Sequence, residues 1–334
     1  HYLLVAPAAR GLFHRAVAQS ASLDLHGFED QVAAEADVGV KVFTELGCAD
    51  LACARQKTWQ QIMDLKEPWG GSVLPVSIST AANATFPLPP QEALQSGRVS
   101  SVPVIFGHNS MEGHLDDYFT GKSYNDFVSR YDALTVRNAV KNILRYTANP
   151  PRSSNDIESA AAQLLGNSFY PARELSVGYD RLGAVASDAG AGLAAWLWAF
   201  IWSMHAPAYL YVFNARAAGC AAMAPFGSMH LLELTFLLGD TYIIDRQGCR
   251  FNSEEVAVGD QLRKWWTHFA DRGYPGDGWI PFSKRNLEAM VIGTNGSGHM
   301  VQHWHGDVVL GFQADWQGYQ QYQVSNAAAR DFLV

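Results

Sequence analysis

A short apolar run, Val102–Phe106, leads through Gly107 into a loop marked by Asn109 and Gly113, with one acid, Glu112, inside it. A run of that length predicts one buried strand, and Gly107 predicts its end. Ligands of α/β proteins bind outside the carboxyl ends of parallel strands, so an acid just past such a strand stands where working groups are placed. Taken alone, Glu112 also fits a solvated loop acid. A second stretch changes that balance. Ala208–Phe213 (AYLYVF) predicts another strand, and the Pro/Gly-bearing loop after it carries His230 ahead of an apolar segment. An acid in one such loop and a histidine in a later one follow the order of a triad written Ser, then Asp/Glu, then His. In a triad the acid holds the imidazole in one tautomer and stabilises the imidazolium that forms.

The residues carry a more specific likeness. VPVIFGHNSMEG (Val102–Gly113) resembles the strand and acidic turn of the carboxylesterase type B and cholinesterase family, whose glutamate is the triad acid. The matching residue is Glu112, with Met111 in place of the usual acid before it. FGSMHLLELTFLLG (Phe226–Gly239) resembles the family's Gly–x–x–His–x–x–Glu–Leu segment, whose histidine is the triad base. That residue is His230, with Glu233 and Leu234 also matching. APAARGLFHRAVAQSAS (Ala6–Ser22) resembles the segment behind the nucleophile. GCADLACARQK (Gly47–Lys57) resembles a family disulfide loop, and KWWTHFADRGYPG (Lys264–Gly276) the late helix and its Gly–x–Pro turn. The likeness is weak between about Tyr118 and Arg181 and after Gly276.

The resemblance implies an α/β fold, the C-terminal portion of an α/β-hydrolase, as one partial domain over residues 1–334. A mostly parallel central sheet would be flanked by helices, with a helical cap at about residues 120–180. It implies a serine carboxylic-ester hydrolase with Glu112 as acid and His230 as base. Ser20, in the turn Gln19-Ser20-Ala21 where Ala21 replaces a family glycine, would hydrogen-bond the acid or the histidine. A Cys48–Cys53 disulfide is implied, and no metal or organic cofactor. The loop carrying Phe86 reaches towards the substrate pocket in the family. Leu115, Asp116 and Phe119 follow Glu112 closely and are further pocket candidates; an acid such as Asp116 at the mouth would favour a cationic substrate.

No Gly-x-Ser-x-Gly occurs in the 334 residues. The nearest imitation, Asn295-Gly296-Ser297-Gly298, lacks the first glycine. Without a nucleophile no acyl-enzyme forms. The family register of HYLLVAPAARGLF lies just after the serine, so the elbow, the oxyanion-hole loop and the first strands are expected upstream. The missing N-terminal part of the same fold would then be this chain's partner, and the chain alone would be inactive. The alternative is a non-catalytic cholinesterase-like domain used in adhesion or protein binding, since fold does not fix function.

The net charge of −8 disfavours nucleic acid and anionic membranes, which select basic surfaces. No membrane span is expected. The nearest run, Ala184–Ala206, is interrupted by Ser187-Asp188, Gly190 and Gly192 and reads as a buried helix. Trp196, Trp198 and Trp202 spread around that helix, which predicts core packing rather than a cation box. Cys220 and Cys249 pair or stay free; spacing does not decide. Sequons at Asn83 and Asn295 lean towards a secreted glycoprotein. His303 and His305 would share a strand face as two metal ligands, but no third is evident. Further predicted elements are strands at His14–Ser20, Met290–Ile292 and Asp307–Phe312. Helices are predicted at Asp30–Leu46, Ala52–Leu65, Pro90–Gly97, Ser123–Tyr146, Asp156–Leu165, Ala189–His205 and Ser253–Arg272, the last with Ser253 as N-cap.

Overall fold

The apolar run from Val102 does become a strand, but it does not stop at Gly107. In the computed structural model the strand is Val104–Asn109, buried throughout. Gly107 lies inside it because the Tyr211 ring covers the spot where a Cβ would stand, at 2.1 Å. A glycine there marks a close approach rather than a turn. The structure describes residues 1–21, 39–65, 86–88, 90–114, 121–147, 153–165, 178–239, 249–293 and 296–302. The chain divides into two units: His1–Leu12 with Asp24–Ser100, and Phe13–Leu23 with Ser101–Val334.

The first unit is helical where described. Helix α1 is Tyr2–Val5, followed by a 3-10 turn at Pro7–Ala9. Helix α2 is Val40–Leu46, closed by Gly47 in the left-handed region. The single helix expected over Ala52–Leu65 is two, α3 (Leu51–Ala54) and α4 (Trp59–Met63). The break is a competing start signal: Thr58 accepts from Gln61 N while the Gln61 side chain accepts from Thr58 N, a capping box. Asp50 caps α3 by accepting from Cys53 N, inside the loop closed by the Cys48–Cys53 disulfide. Helix α5 is Pro90–Gln95.

The second unit holds the sheet. Strand β1 is Ala16–Gln19, β2 Val104–Asn109, β3 Ala208–Phe213, β4 Glu288–Ile292 and β5 Gly298–Gln302. Among the described residues they lie side by side in that order. β1 to β4 are parallel, and β5 returns antiparallel on β4. Helices follow in the order α6 (Tyr124–Val128), α7 (Ala133–Thr147), α8 (Ser154–Leu164), α9 (Gly178–Ser187), α10 (Leu193–Trp202), α11 (Leu232–Leu238) and α12 (Ser253–Arg272). The predicted Ser123–Tyr146 helix is thus split, with Ser123 capping α6. The cap of α12 is Asn252 rather than Ser253: Asn252 Oδ1 accepts from Glu255 N, and the Glu255 carboxylate accepts from Asn252 N.

Each face of the sheet is covered. Ile105, Tyr209, Tyr211, Phe213, Met290 and Ile292 join Leu262, Trp265 and Phe269 of α12 in one apolar cluster. On the other face the Phe106 ring lies 6.4 Å from Trp198 and 6.2 Å from Trp202. Trp202 also donates its indole N–H to Val102 O at 2.9 Å. All ten residues of α10 are buried, so its tryptophans are core. The helix expected to begin at Ala189 is described from Gly178, and a π-helical turn at Asp188–Gly192 joins α9 to α10. An 18-residue window within Gly178–Trp202 has a mean hydropathy of 1.4, enough for a membrane span by length and composition. Of that window 83% is buried within the protein, as expected of the buried helix read from the sequence.

Candidate active site

Parallel strands end on the same side, and the register brings three of those ends together. Gln19 pairs with Gly107 and Asn109 with Phe213. Beyond the strands, the loops stay in register. Ser20 N donates to Gly107 O at 2.8 Å, and Ser110 N to Phe213 O at 3.0 Å. Met111 bridges to Met229, and Met111 N donates to Ser228 O at 3.0 Å. The loop with the acid and the loop with the histidine are therefore stitched together through their backbones.

Glu112 and His230 meet at this seam, although 118 positions separate them. His230 Nδ1 is 2.5 Å from Glu112 Oε2. The other carboxylate oxygen accepts from Ser20 Oγ at 2.7 Å and from Asn109 N at 2.5 Å. The carboxylate is thus held by three groups and is only 10% exposed, while the imidazole is 38% exposed. An acceptor on Nδ1 places the ring proton there, so Nε2 carries the lone pair. The arrangement is an oriented imidazole that solvent can reach.

Ser20 (φ 50°) and Leu231 (φ 69°) have the left-handed backbone that side chains disfavour, and no other non-glycine residue among those described has it. One follows β1 and bonds Glu112; the other directly follows His230. Strain of that kind persists where the surroundings over-determine it, and it concentrates at working sites. Nothing in the residue types of Gln19-Ser20-Ala21 or His230-Leu231 signals it.

Two further polar residues were not singled out from the sequence for a role here. Asn109 Nδ2 donates to Met229 O at 2.7 Å and to Glu233 Oε2 at 2.5 Å. Glu233 Oε1 accepts from Gln19 Nε2 at 3.3 Å, and Gln19 Oε1 accepts from Trp266 Nε1 at 3.1 Å. This network underlies the seam from β1 to α12. Burial pushes the Glu233 carboxyl above its ordinary range, and the charge on Glu112 adds to that, against the pull of Asn109. The fold therefore favours the protonated form. Its contribution to stability is full below the unfolded-state value and is lost as pH rises through the raised one. The unfolding free energy is expected to fall as pH rises from the ordinary carboxyl range through the raised one, and Glu233→Gln, with no charge to bury, should lose that part of the slope. Urea unfolding across that range reads it, and parallel pH profiles for the two proteins would contradict the assignment.

The other expected positions divide. Phe86 belongs to the first unit, where its ring lies 5.7 Å from that of Tyr2. Leu115, Asp116 and Phe119 lie outside the described residues, as do Asn83, Asn295, His303, His305 and Asp307–Phe312. Cys220 and Cys249 form a second disulfide, which settles the pairing that spacing left open. It ties the loop before His230 to the approach to α12, where Glu255 also accepts from Gly219 N at 2.9 Å. Among the described residues, no group of three or more His, Cys, Asp or Glu side chains is placed to hold a metal.

Residues 1–306 match the model of the Carboxylesterase family. Cocaine esterase of Homo sapiens is 26% identical over 325 residues, which is 90% of this chain and 54% of that protein. A medium-chain fatty acyl-CoA hydrolase precursor of Anas platyrhynchos is 23% identical over 305 residues, 87% of this chain and 51% of its own. Acetylcholinesterase of Danio rerio is 24% identical over 257 residues, 67% and 39% of the two chains. Among solved structures, a PNB esterase superposes with a TM-score of 0.63 at 17% identity, over 93% of this chain and 60% of its own. That likeness shows a shared α/β fold with a mostly parallel sheet. The chain spans about half the length of the first two curated relatives.

Proposed function

Because this chain belongs to the carboxylesterase family, we propose that it supplies the acid and base of a carboxylic-ester hydrolase whose nucleophilic serine lies outside these 334 residues. The observation that carries this reading is the 2.5 Å contact of His230 Nδ1 with Glu112, whose far oxygen is held by Ser20. His230 Nε2 takes the proton of the serine as its oxygen attacks the ester carbonyl, then returns it to the leaving alcohol. Glu112 fixes the tautomer and balances the imidazolium. Ser20 and the Asn109 N–H hold the carboxylate in its rotamer. Water, deprotonated by the same imidazole, then resolves the acyl-enzyme. The absence of Gly-x-Ser-x-Gly supports a nucleophile from elsewhere in the full protein.

Finer parts of the reading follow from the same premise. Helices α6, α7 and α8 form the cap over the substrate pocket. Two disulfides fit an oxidising, extracellular setting. The direct test is hydrolysis of a nitrophenyl ester. A protein that joins this chain to an upstream Gly-x-Ser-x-Gly elbow is expected to turn over, and the 334-residue chain is not. Turnover by the chain alone would remove the need for an outside serine. An intact elbow with no turnover on any activated ester would favour the non-catalytic reading instead.

A further inference from the structure

His114 stands two residues beyond Glu112 and is 1% exposed. Its backbone N donates to Met111 O at 3.1 Å, so residues 111–114 form a tight turn with Glu112 near its apex. Its ring Nδ1 lies 2.8 Å from Phe226 O. A carbonyl oxygen only accepts, so Nδ1 carries the proton and donates it. Phe226 ends the 3-10 turn Ala224–Phe226, four positions ahead of His230. The bond therefore runs from the acid's loop to the base's loop.

The ring is gripped from several sides. It stacks on Tyr179 with centroids 4.3 Å apart and planes 10° from parallel, and meets the Phe226 ring edge-on at 6.3 Å. Tyr179 belongs to α9, and one turn further along the same helix Gly183 comes so near that a Cβ there would stand 2.3 Å from Nε2. Only a glycine permits that approach. An imidazole placed with this precision, donating one bond across two loops, does more than fill space.

The ties before Glu112 are the Met111–Ser228 backbone bond and Asn109 Nδ2 to Met229 O. Both act on its sheet side. On its other side His114 reaches Phe226. A loop between two anchors keeps its position; one anchored on a single side swings about that side and carries Glu112 with it. Working groups need placement within about 0.5 Å. We propose that His114 is a positioning residue, whose Nδ1–H bond to Phe226 O closes the far side of the loop pair and holds Glu112 against His230. The proposal rests on Glu112 and His230 being the acid and base, but the tie itself involves no ester chemistry.

The test follows the far-downfield proton resonance of the His230 Nδ1–H in the 334-residue chain, identified by its loss in His230→Ala. His114→Phe keeps a ring on Tyr179 and removes the donor. His114→Asn places an amide N–H close to where Nδ1–H was. Gly183→Ala pushes a methyl at the ring from α9 and leaves both loops unaltered. The resonance is expected to be lost in His114→Phe and Gly183→Ala and retained in His114→Asn, with near-ultraviolet dichroism showing all three folded. A merely structural role would lower the melting temperature and leave the resonance in place. Its persistence in folded His114→Phe or Gly183→Ala overturns the proposal, as does its absence from the unsubstituted chain, which also removes the Glu112–His230 pairing. The expected pattern together with no ester turnover by the complete protein would sink the hydrolase reading alone.

Discussion

Replacing His230 by alanine in the complete protein is expected to lower kcat for ester hydrolysis by about 10⁴- to 10⁶-fold. That is about 5–8 kcal/mol of transition-state stabilisation. The size follows from what the imidazole does. A serine hydroxyl is a poor nucleophile at neutral pH unless a base takes its proton as the bond forms. With His230 gone, one oxygen of the Glu112 carboxylate remains bonded to Ser20 and Asn109 N, which holds the group where it stands. KM should change little, because the lost interaction is made in the transition state and not in the bound substrate. Stability should change little as well, since the imidazole is 38% exposed and fills no core space. Steady-state kinetics on a nitrophenyl ester reads the effect. A loss smaller than about tenfold would remove His230 from the role of base, given the range measured for triad members.

What the residues made legible was set by how local each signal is. β2 and β3 are buried on both faces because helices cover both, so Val104–Phe106 and Ala208–Phe213 read as unbroken apolar runs. The end of β2 was misplaced because a glycine inside a strand looks, in one dimension, like a glycine that stops it. Only the packing of Tyr211 on Gly107 tells the two apart. β5 escaped notice since Gly298–Gln302 has no apolar run; it is a strand by virtue of pairing with β4. α12 was read nearly whole from its periodicity, with the cap one residue late because Ser253 and Asn252 are both good caps and the Glu255 backbone N–H settled on Asn252.

The site shows the same division. Glu112 and His230 each follow a strand, and that order is visible in the chain. The bonds that place them are not. Asn109 to Glu233 spans 124 positions and Gln19 to Glu233 spans 214, so neither has a local signature. They appear once β1, β2 and β3 are in register. The left-handed backbone at Ser20 and Leu231 is likewise a property of the assembled loops. A motif names side chains; the tertiary register decides which oxygen faces which nitrogen.

That last point sets the second large effect. Glu112→Gln changes one atom, yet kcat is expected to fall by about 10⁴-fold, as when a triad acid becomes its amide elsewhere. One side of the carboxylate takes two donors, Ser20 Oγ and the Asn109 backbone N–H. The amide oxygen of the variant must face that side, since an amide nitrogen has no lone pair to accept with. Its NH₂ then faces His230 Nδ1. That nitrogen can meet a donor only by giving up its proton, which moves to Nε2. The ring is then neutral and well placed, but it is protonated on the nitrogen that must take the proton of the serine. Shape, packing and KM should be nearly unaltered while turnover collapses. Ser20→Ala added to Glu112→Gln should not restore activity, because Asn109 N still demands an oxygen on that side. Activity within about tenfold of the parent in Glu112→Gln would mean that the tautomer is set by some other group, given what the wrong tautomer costs.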